Sequence, residues 1–160
     1  MKTDSLTMIF KKKNFMYHRI ENSTDKTCYL MKFEMMSCNS DFIIEKCNNK
    51  SKLMFIYAVF PVRIPANKRT EMAVFTALFN NNLASGCWEL NMEDGTLRFR
   101  ISYIYEESEE SFERIFLENL DQAIRFTDIC TTGILSVIFV NVDPKEVFRE
   151  LAQMVDVSLN

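Results

Sequence analysis

Trp88-Glu89-Leu90-Asn91-Met92-Glu93-Asp94-Gly95-Thr96-Leu97-Arg98-Phe99-Arg100-Ile101-Ser102-Tyr103 is the stretch on which the reading of this sequence turns. Trp88 and Leu90 alternate with Glu89 and Asn91, and Leu97, Phe99, Ile101 and Tyr103 alternate with Arg98, Arg100 and Ser102. A period of two sends successive side chains to opposite faces of a strand, and Glu93-Asp94-Gly95 between the runs supplies a hairpin turn. Residues 88–103 therefore form two antiparallel strands with one apolar face, and that face needs a layer to cover it.

The covering layer lies on both sides of the hairpin. Upstream, Lys68 to Leu83 carries Met72, Phe75, Leu78, Phe79 and Leu83 at the spacing of a helix packed on a sheet, in a stripe widened by Val74 and Ala77. Gly86 is positioned to close that helix in the left-handed conformation. Downstream, Ser108, Glu109 and Glu110 start a helix through Phe112, Ile115, Phe116, Leu120, Ala123, Ile124 and Cys130 towards about Phe139, its acidic start matching the positive end of the dipole. Asp143-Pro144-Lys145-Glu146 combines an N-cap, a proline at the first helical position and a capping-box glutamate, which predicts a last helix from Pro144 to about Val155.

Towards the N-terminus the sheet grows. Tyr29, Met31, Phe33 and Met35 alternate with Lys32 and Glu34, a half-buried strand from Cys28. Turns at Ser37 to Ser40 and Asn48 to Ser51 lead to strands at Phe42 to Ile44 and at Leu53 through Ile64, ended by Pro65. Leu53 to Phe60 is apolar on both parities, so this strand is either central and covered on both sides or has one face in an interface. Before it all, Asp4 can cap a short helix with Leu6, Ile9 and Phe10 at helical spacing. The order reads α-β-β-β-α-β-β-α-α. That is an α+β fold, an antiparallel sheet with helices packed on it, as one domain over residues 1–160 with no internal repeat or linker.

Composition agrees. The chain has 160 residues, of which 48% are hydrophobic and 26% charged, with 14 Phe and 10 Met to fill a core. A chain of this length buries roughly 70% of its unfolded surface without staples. Net charge is −3, which argues against a dedicated nucleic-acid binder. Five cysteines (Cys28, Cys38, Cys47, Cys87, Cys130) without a Cys-x-x-Cys pair fit neither a disulfide framework nor a zinc site and read as reduced core thiols. Lys11 to Lys13 are not joined to an apolar segment of the secretory kind, and the longest nearly apolar run, Gly133 to Val142, is far short of the ~20 residues of a membrane span. Cytoplasmic location is the expectation.

Leu78-Phe79-Asn80-Asn81-Asn82-Leu83-Ala84-Ser85-Gly86-Cys87-Trp88-Glu89-Leu90 and the hairpin after it resemble the YbjN family. The likeness rests on Asn81, Gly86, Trp88, Asp94-Gly95, Arg98 and Arg100, and the element order extends it from about Ser5 to Asp156. The resemblance implies a type III secretion chaperone-like fold and a role as a sensory transduction regulator or chaperone-like binding domain, with no enzymatic activity. Met- and Cys-rich early strands and an Asn-rich helix end depart from the family pattern.

Candidate sites are few. His18 is the only histidine and no G-x-S-x-G nucleophile elbow is present. The three glycines, Gly86, Gly95 and Gly133, are too scattered for a phosphate-cradling loop. Glu106, Glu107, Glu109, Glu110 and Glu113 lack the ligand alternation of a calcium loop and read as helix-start charges. Arg98 and Arg100 flank Phe99, but alternation puts the ring on the opposite face, where a stacking platform would need it beside the cations. Trp88 and the methionines Met31, Met35, Met36 and Met54 are core-filling residues before they are a binding surface. No catalytic residue, metal ligand or cofactor is expected. The expected function is a non-enzymatic domain that binds a protein or peptide and forms a homodimer, through Leu53, Phe55, Tyr57 and Val59 on the strand and Val74 and Ala77 on the helix. The alternative is a regulatory adaptor in sensory or stress signalling.

Overall fold

The structure, a computed structural model, describes residues 4–106 and 110–158. Helix α1 (Ser5–Lys12) inserts Leu6, Ile9 and Phe10 into the core, as its spacing predicts. Strands β1 (Tyr17–Asn22), β2 (Lys26–Glu34), β3 (Asn39–Cys47) and β4 (Leu53–Val59) follow as an antiparallel meander. A 3₁₀ turn (Ala66–Lys68) leads into α2 (Arg69–Asn80), which carries the chain over to β5 (Cys87–Leu90) at the far edge. β6 (Leu97–Ile104) then returns between β5 and β4, so the sheet order is β1-β2-β3-β4-β6-β5 with every neighbouring pair antiparallel. The α+β architecture expected from the alternation is the one observed.

The helices lie on one side only. Inward side chains line up across the sheet: Tyr17, Met31, Phe42, Ala58, Phe99 and Trp88 share one row, and Tyr29, Ile44, Ile56 and Ile101 the next. Against them α2 packs Met72, Phe75 and Phe79, and α3 (Phe112–Leu135) packs Phe112, Phe116, Leu120, Ala123, Phe126, Cys130 and Ile134, one residue per turn or so along a single stripe. The buried hydroxyls on α3 turn back onto the helix: Thr127 and Thr131 donate to the carbonyls of Ala123 and Thr127, each at 2.8 Å. A π turn (Ser136–Val140) and α4 (Pro144–Ser158) finish the layer. At Gly133 an added Cβ would stand 2.5 Å from Val147 and 2.6 Å from Leu151, so the missing side chain is what lets α4 approach α3. Asp143 caps α4 by accepting the Lys145 N–H at 2.7 Å, as the Asp-Pro-x-Glu pattern requires.

Several boundaries differ from the sequence reading, each for a physical reason. A strand absent from the expected order, β1, precedes the others. Five of its six residues are exposed because only Tyr17 reaches the core, so its sequence Tyr17-His18-Arg19-Ile20-Glu21-Asn22 has no apolar alternation to read. β4 stops at Val59, short of Ile64, because Pro61 has no N–H to give a ladder. Helix α2 ends at Asn80, before Leu83, and Gly86 (φ +77°) sits at the start of β5 instead of closing the helix. The terminator is the Asn80 side chain, whose amide donates to the Trp88 carbonyl at 2.9 Å and accepts the Trp88 N–H at 2.7 Å, tying helix end to strand. Ser108 and Glu109, the expected start of α3, lie outside the described residues. By length and composition Phe112–Val140 is apolar enough to cross a membrane, a longer stretch than the run at Gly133 to Val142; here it is the core helix.

Candidate functional site

An antiparallel sheet covered on one side leaves its other side as surface. That open face is where the unassigned side chains converge. Register places Lys32, Asp41, Val59, Arg98 and Glu89 in one row across β2-β3-β4-β6-β5. Leu30, Ile43, Tyr57, Arg100 and Cys87 form the next row, and Cys28, Glu45, Phe55 and Ser102 the one after. Among the described residues no helix joins this side, and none of Leu30, Ile43, Leu53, Phe55, Tyr57 or Val59 belongs to the core cluster or packs on it.

β4 runs down the middle as an apolar spine. Leu53, Phe55, Tyr57 and Val59 are all half-buried on the open face, whereas Met54, Ile56 and Ala58 are fully buried beneath. Coverage on both sides, one of the two readings left open for this strand, does not hold: it is central in the sheet and, among the described residues, one of its faces is uncovered. The Phe55 and Tyr57 rings lie parallel, 5.9 Å between centroids and 7° between planes.

Charges border the spine on both sides. On β6 and β5, Glu89 holds two arginines, its carboxylate oxygens 2.7 Å from Arg98 Nε and 2.7 Å from Arg100 Nε. Arg98 in turn lies over the Tyr57 ring at 4.3 Å from its centroid, a cation–π contact. Burial, and then Glu45, raises the Tyr57 hydroxyl above its ordinary pKa. On β2 and β3, Lys32 is 3.7 Å from Asp41, and Lys26 is 3.1 Å from Glu21 and 3.5 Å from Glu45. Cys28 and Cys47 donate weakly to the two oxygens of Glu45 at 3.7 and 3.8 Å. Burial first, then the Glu45 charge, pushes the Cys28 thiol up to about 11 and raises Cys47 as well. A thiol held protonated is a poor nucleophile and a poor metal ligand. Beyond Val59 the face opens into a cleft of about 510 Å³ bordered by Lys32, Asp41, Arg63 and Thr96.

Of the six surface residues singled out from sequence, the structure brings four together. Leu53, Phe55, Tyr57 and Val59 share the open face, while Val74 and Ala77 are exposed on the outer side of α2, in the opposite layer. The α2 stripe was read as wider than one sheet face needs, and the surplus is these two small residues facing solvent. Residues the sequence reading missed are Leu30, Ile43, Asp41, Lys32 and Glu89, which join the site only through cross-strand register. Phe99 is buried away from Arg98 and Arg100, as alternation predicts. Trp88, Met31 and Met54 are core, Met35 is partly buried against it, and Met36 is 98% exposed. His18 is exposed on the edge strand. Lys12 and Lys13 face Glu113 at 2.8 and 4.0 Å, so part of the basic run is neutralised within the fold. Among the described residues no three His, Cys, Asp or Glu side chains come together as a metal site would need.

The chain matches no family model and no curated protein.

Proposed function

We propose that this chain is a non-enzymatic binding domain that recognises a protein partner on the open face of its sheet. The observation that carries the reading is the spine of Leu53, Phe55, Tyr57 and Val59, a contiguous apolar strip in the middle of an uncovered face and bordered by charged pairs. An apolar centre with a polar rim is the anatomy of a protein interface, and Tyr and Arg are the residues most enriched at its energetic centre. The Cys28 and Cys47 thiols beside Glu45 are held towards the protonated form, which favours binding over nucleophilic chemistry at those two positions. The YbjN-like pattern from Asn81 to Arg100 points to the same class of chaperone-like or regulatory domain, acting in the cytoplasm.

Affinity capture with quantitative mass spectrometry tests this. The tagged chain, its Tyr57→Glu variant and its Val74→Glu variant are each used as bait in native lysate. Bound protein, an untagged copy of this chain included, is expected with the parent and with Val74→Glu and absent with Tyr57→Glu at an unchanged melting midpoint. Equal capture by all three baits refutes the open face as the binding surface.

A further inference from the structure

We infer that the occupant of the open face is a second copy of this chain, packed sheet against sheet about a two-fold axis parallel to β4. The inference rests on the open face being the binding surface and goes beyond it by naming the partner and its orientation. The argument is self-complementarity of the pattern across the sheet. A two-fold rotation about an axis along β4 lays β4 on its own counterpart, β6 on the partner's β3 and β5 on the partner's β2. In the first row, Lys32, Asp41, Val59, Arg98 and Glu89 follow one another across the five strands. Rotation then sets Arg98 against the partner's Asp41 and Glu89 against the partner's Lys32, with Val59 on the axis facing itself. Two rows further, Ser102 meets the partner's Glu45 as a donor to an acceptor, and Phe55 faces itself. In the row between, Tyr57 faces itself and Arg100 lies against the partner's Ile43, so the apolar spine fills the centre and the opposite charges pair at the Val59 end.

The alternative axis, perpendicular to the strands, fails on the same residues. It lays β6 on β6 and β3 on β3 with the strands reversed, so with the axis on the Tyr57 row Arg100 meets the partner's Arg100 and each Asp41 meets the partner's Glu45. Like charges facing each other across an interface cost several kcal/mol. Sheet twist does not undo the first arrangement. Aligned sheets cross at about 30°, which moves two residues one strand-spacing from the axis apart by only about 2.5 Å, within reach of an arginine. The size is also of the right order: five strands of about seven residues cover roughly 550 Å² of planar area, more once side chains corrugate it, against about 800 Å² per partner in a standard interface. A nucleic-acid occupant is disfavoured because Glu89, Asp41 and Glu45 set three carboxylates on the same face as Arg98 and Arg100, where they would repel phosphates.

Sedimentation equilibrium on the full chain tests the axis through a charge exchange. Asp41→Arg alone sets two arginine pairs against each other in each dimer, and Arg98→Asp alone sets two aspartate pairs. Each is expected to raise the dimer dissociation constant on the order of a hundredfold. An equimolar mixture of the two variants restores opposite charges at both contacts, so a heterodimer within about tenfold of the parent affinity is expected. Lys32→Glu, at a side chain that is 79% exposed, perturbs the same row without touching packing and is expected to weaken the dimer about tenfold while leaving the melting midpoint of the monomer unchanged. Val74→Glu is expected to change nothing. A parent chain that remains monomeric at high micromolar concentration overturns the second copy as occupant, yet leaves the binding reading standing if Tyr57→Glu still strips a different captured protein. A dimer indifferent to all three charge variants overturns the axis, and one weakened by Val74→Glu instead moves the interface to α2 and overturns both readings.

Discussion

Replacing Phe99 by alanine tests the face assignment on which the open surface depends. Phe99 is fully buried, with its ring 5.4 Å from Phe126 at 17° and 5.3 Å from Trp88. It ties the sheet to α3, and truncating such a ring in a packed core costs ~3–5 kcal/mol. At about 2–4 °C per kcal/mol for a chain of this size, the melting midpoint should fall by roughly 6–20 °C. Gly86 supplies an internal control. A Cβ there would lie 2.5 Å from Phe99 Cζ and 3.0 Å from the Arg100 carbonyl, at φ +77°. Gly86→Ala therefore carries both a ring clash and a backbone penalty of about 1–2 kcal/mol. In the Phe99→Ala background the ring is gone and only the backbone penalty and the carbonyl remain. The double variant should be more stable than the sum of the singles predicts, by about 1 kcal/mol. Chemical denaturation of the four proteins measures this cycle. A loss under about 1 kcal/mol for Phe99→Ala, or strict additivity with Gly86→Ala, refutes the assignment; it would mean that the two faces of β6 are exchanged and that Arg98 and Arg100 are not on the open side.

Two further outcomes follow from the covered side. Lys46 points inward from β3, 5% exposed, where its ammonium bonds the Asp4 carboxylate that also accepts from the Tyr29 hydroxyl. Asp4→Ala should cost about 1–3 kcal/mol by taking the carboxylate away from a buried ammonium and from the Tyr29 hydroxyl, and adding Lys46→Met should recover part of that in urea titrations; a double variant as unstable as Asp4→Ala refutes the pairing. Burial pushes the Cys130 thiol up to about 12 and the Cys28 thiol up to about 11, both from 9.0. Because these folded values lie above the unfolded one, the thiols' contribution is fully present below pH 9 and is lost as pH rises towards 11 to 12. Melting midpoints should hold between pH 7 and 9 and fall above, less steeply in Cys28→Ala/Cys130→Ala, and an identical fall in that variant removes the thiols as its cause.

What could be read from sequence was whatever a local period records. The β5–β6 hairpin, the inward faces of α1 and α2, and the capped start of α4 all follow from alternation, helical spacing or turn chemistry confined to a few residues. β1 was illegible because only its first residue, Tyr17, packs against the core, which leaves no apolar alternation along the strand. The end of α2 was misplaced because glycine is the stronger local signal, while the actual stop is a side-chain bond from Asn80 to Trp88 on the next strand. The candidate site was half legible for the same reason. β4 announced itself by being apolar on both parities, but Asp41, Lys32 and Glu89 are placed beside it by register, which is a property of pairs of strands.

The contrast between β4 and its neighbours is what makes the open face a surface under constraint. The core needs only Met54, Ile56 and Ala58 from β4, and on β3 and β6 most outward positions next to the spine carry polar or charged side chains, Asp41, Glu45, Arg98, Arg100 and Ser102, with Ile43 and Ile104 the apolar exceptions. Had solubility alone shaped this side, Leu53, Phe55, Tyr57 and Val59 would be the positions to make polar, since completing the burial of each is worth ~1 kcal/mol or so only when something covers it. An uncovered apolar strip on a strand is otherwise a route to aggregation. The charged rows on either side act against indiscriminate sticking: any sheet laid over the strip must also bring an acid to Arg98 and a base to Asp41. Tyr57 sits where the two demands meet, with its ring in the apolar strip and its face under the Arg98 guanidinium. A partner that satisfies the strip without matching those charges takes the Arg98–Glu89 and Lys32–Asp41 pairs out of water with no new contacts in return, so the same arrangement that offers apolar area also discriminates among those that could take it.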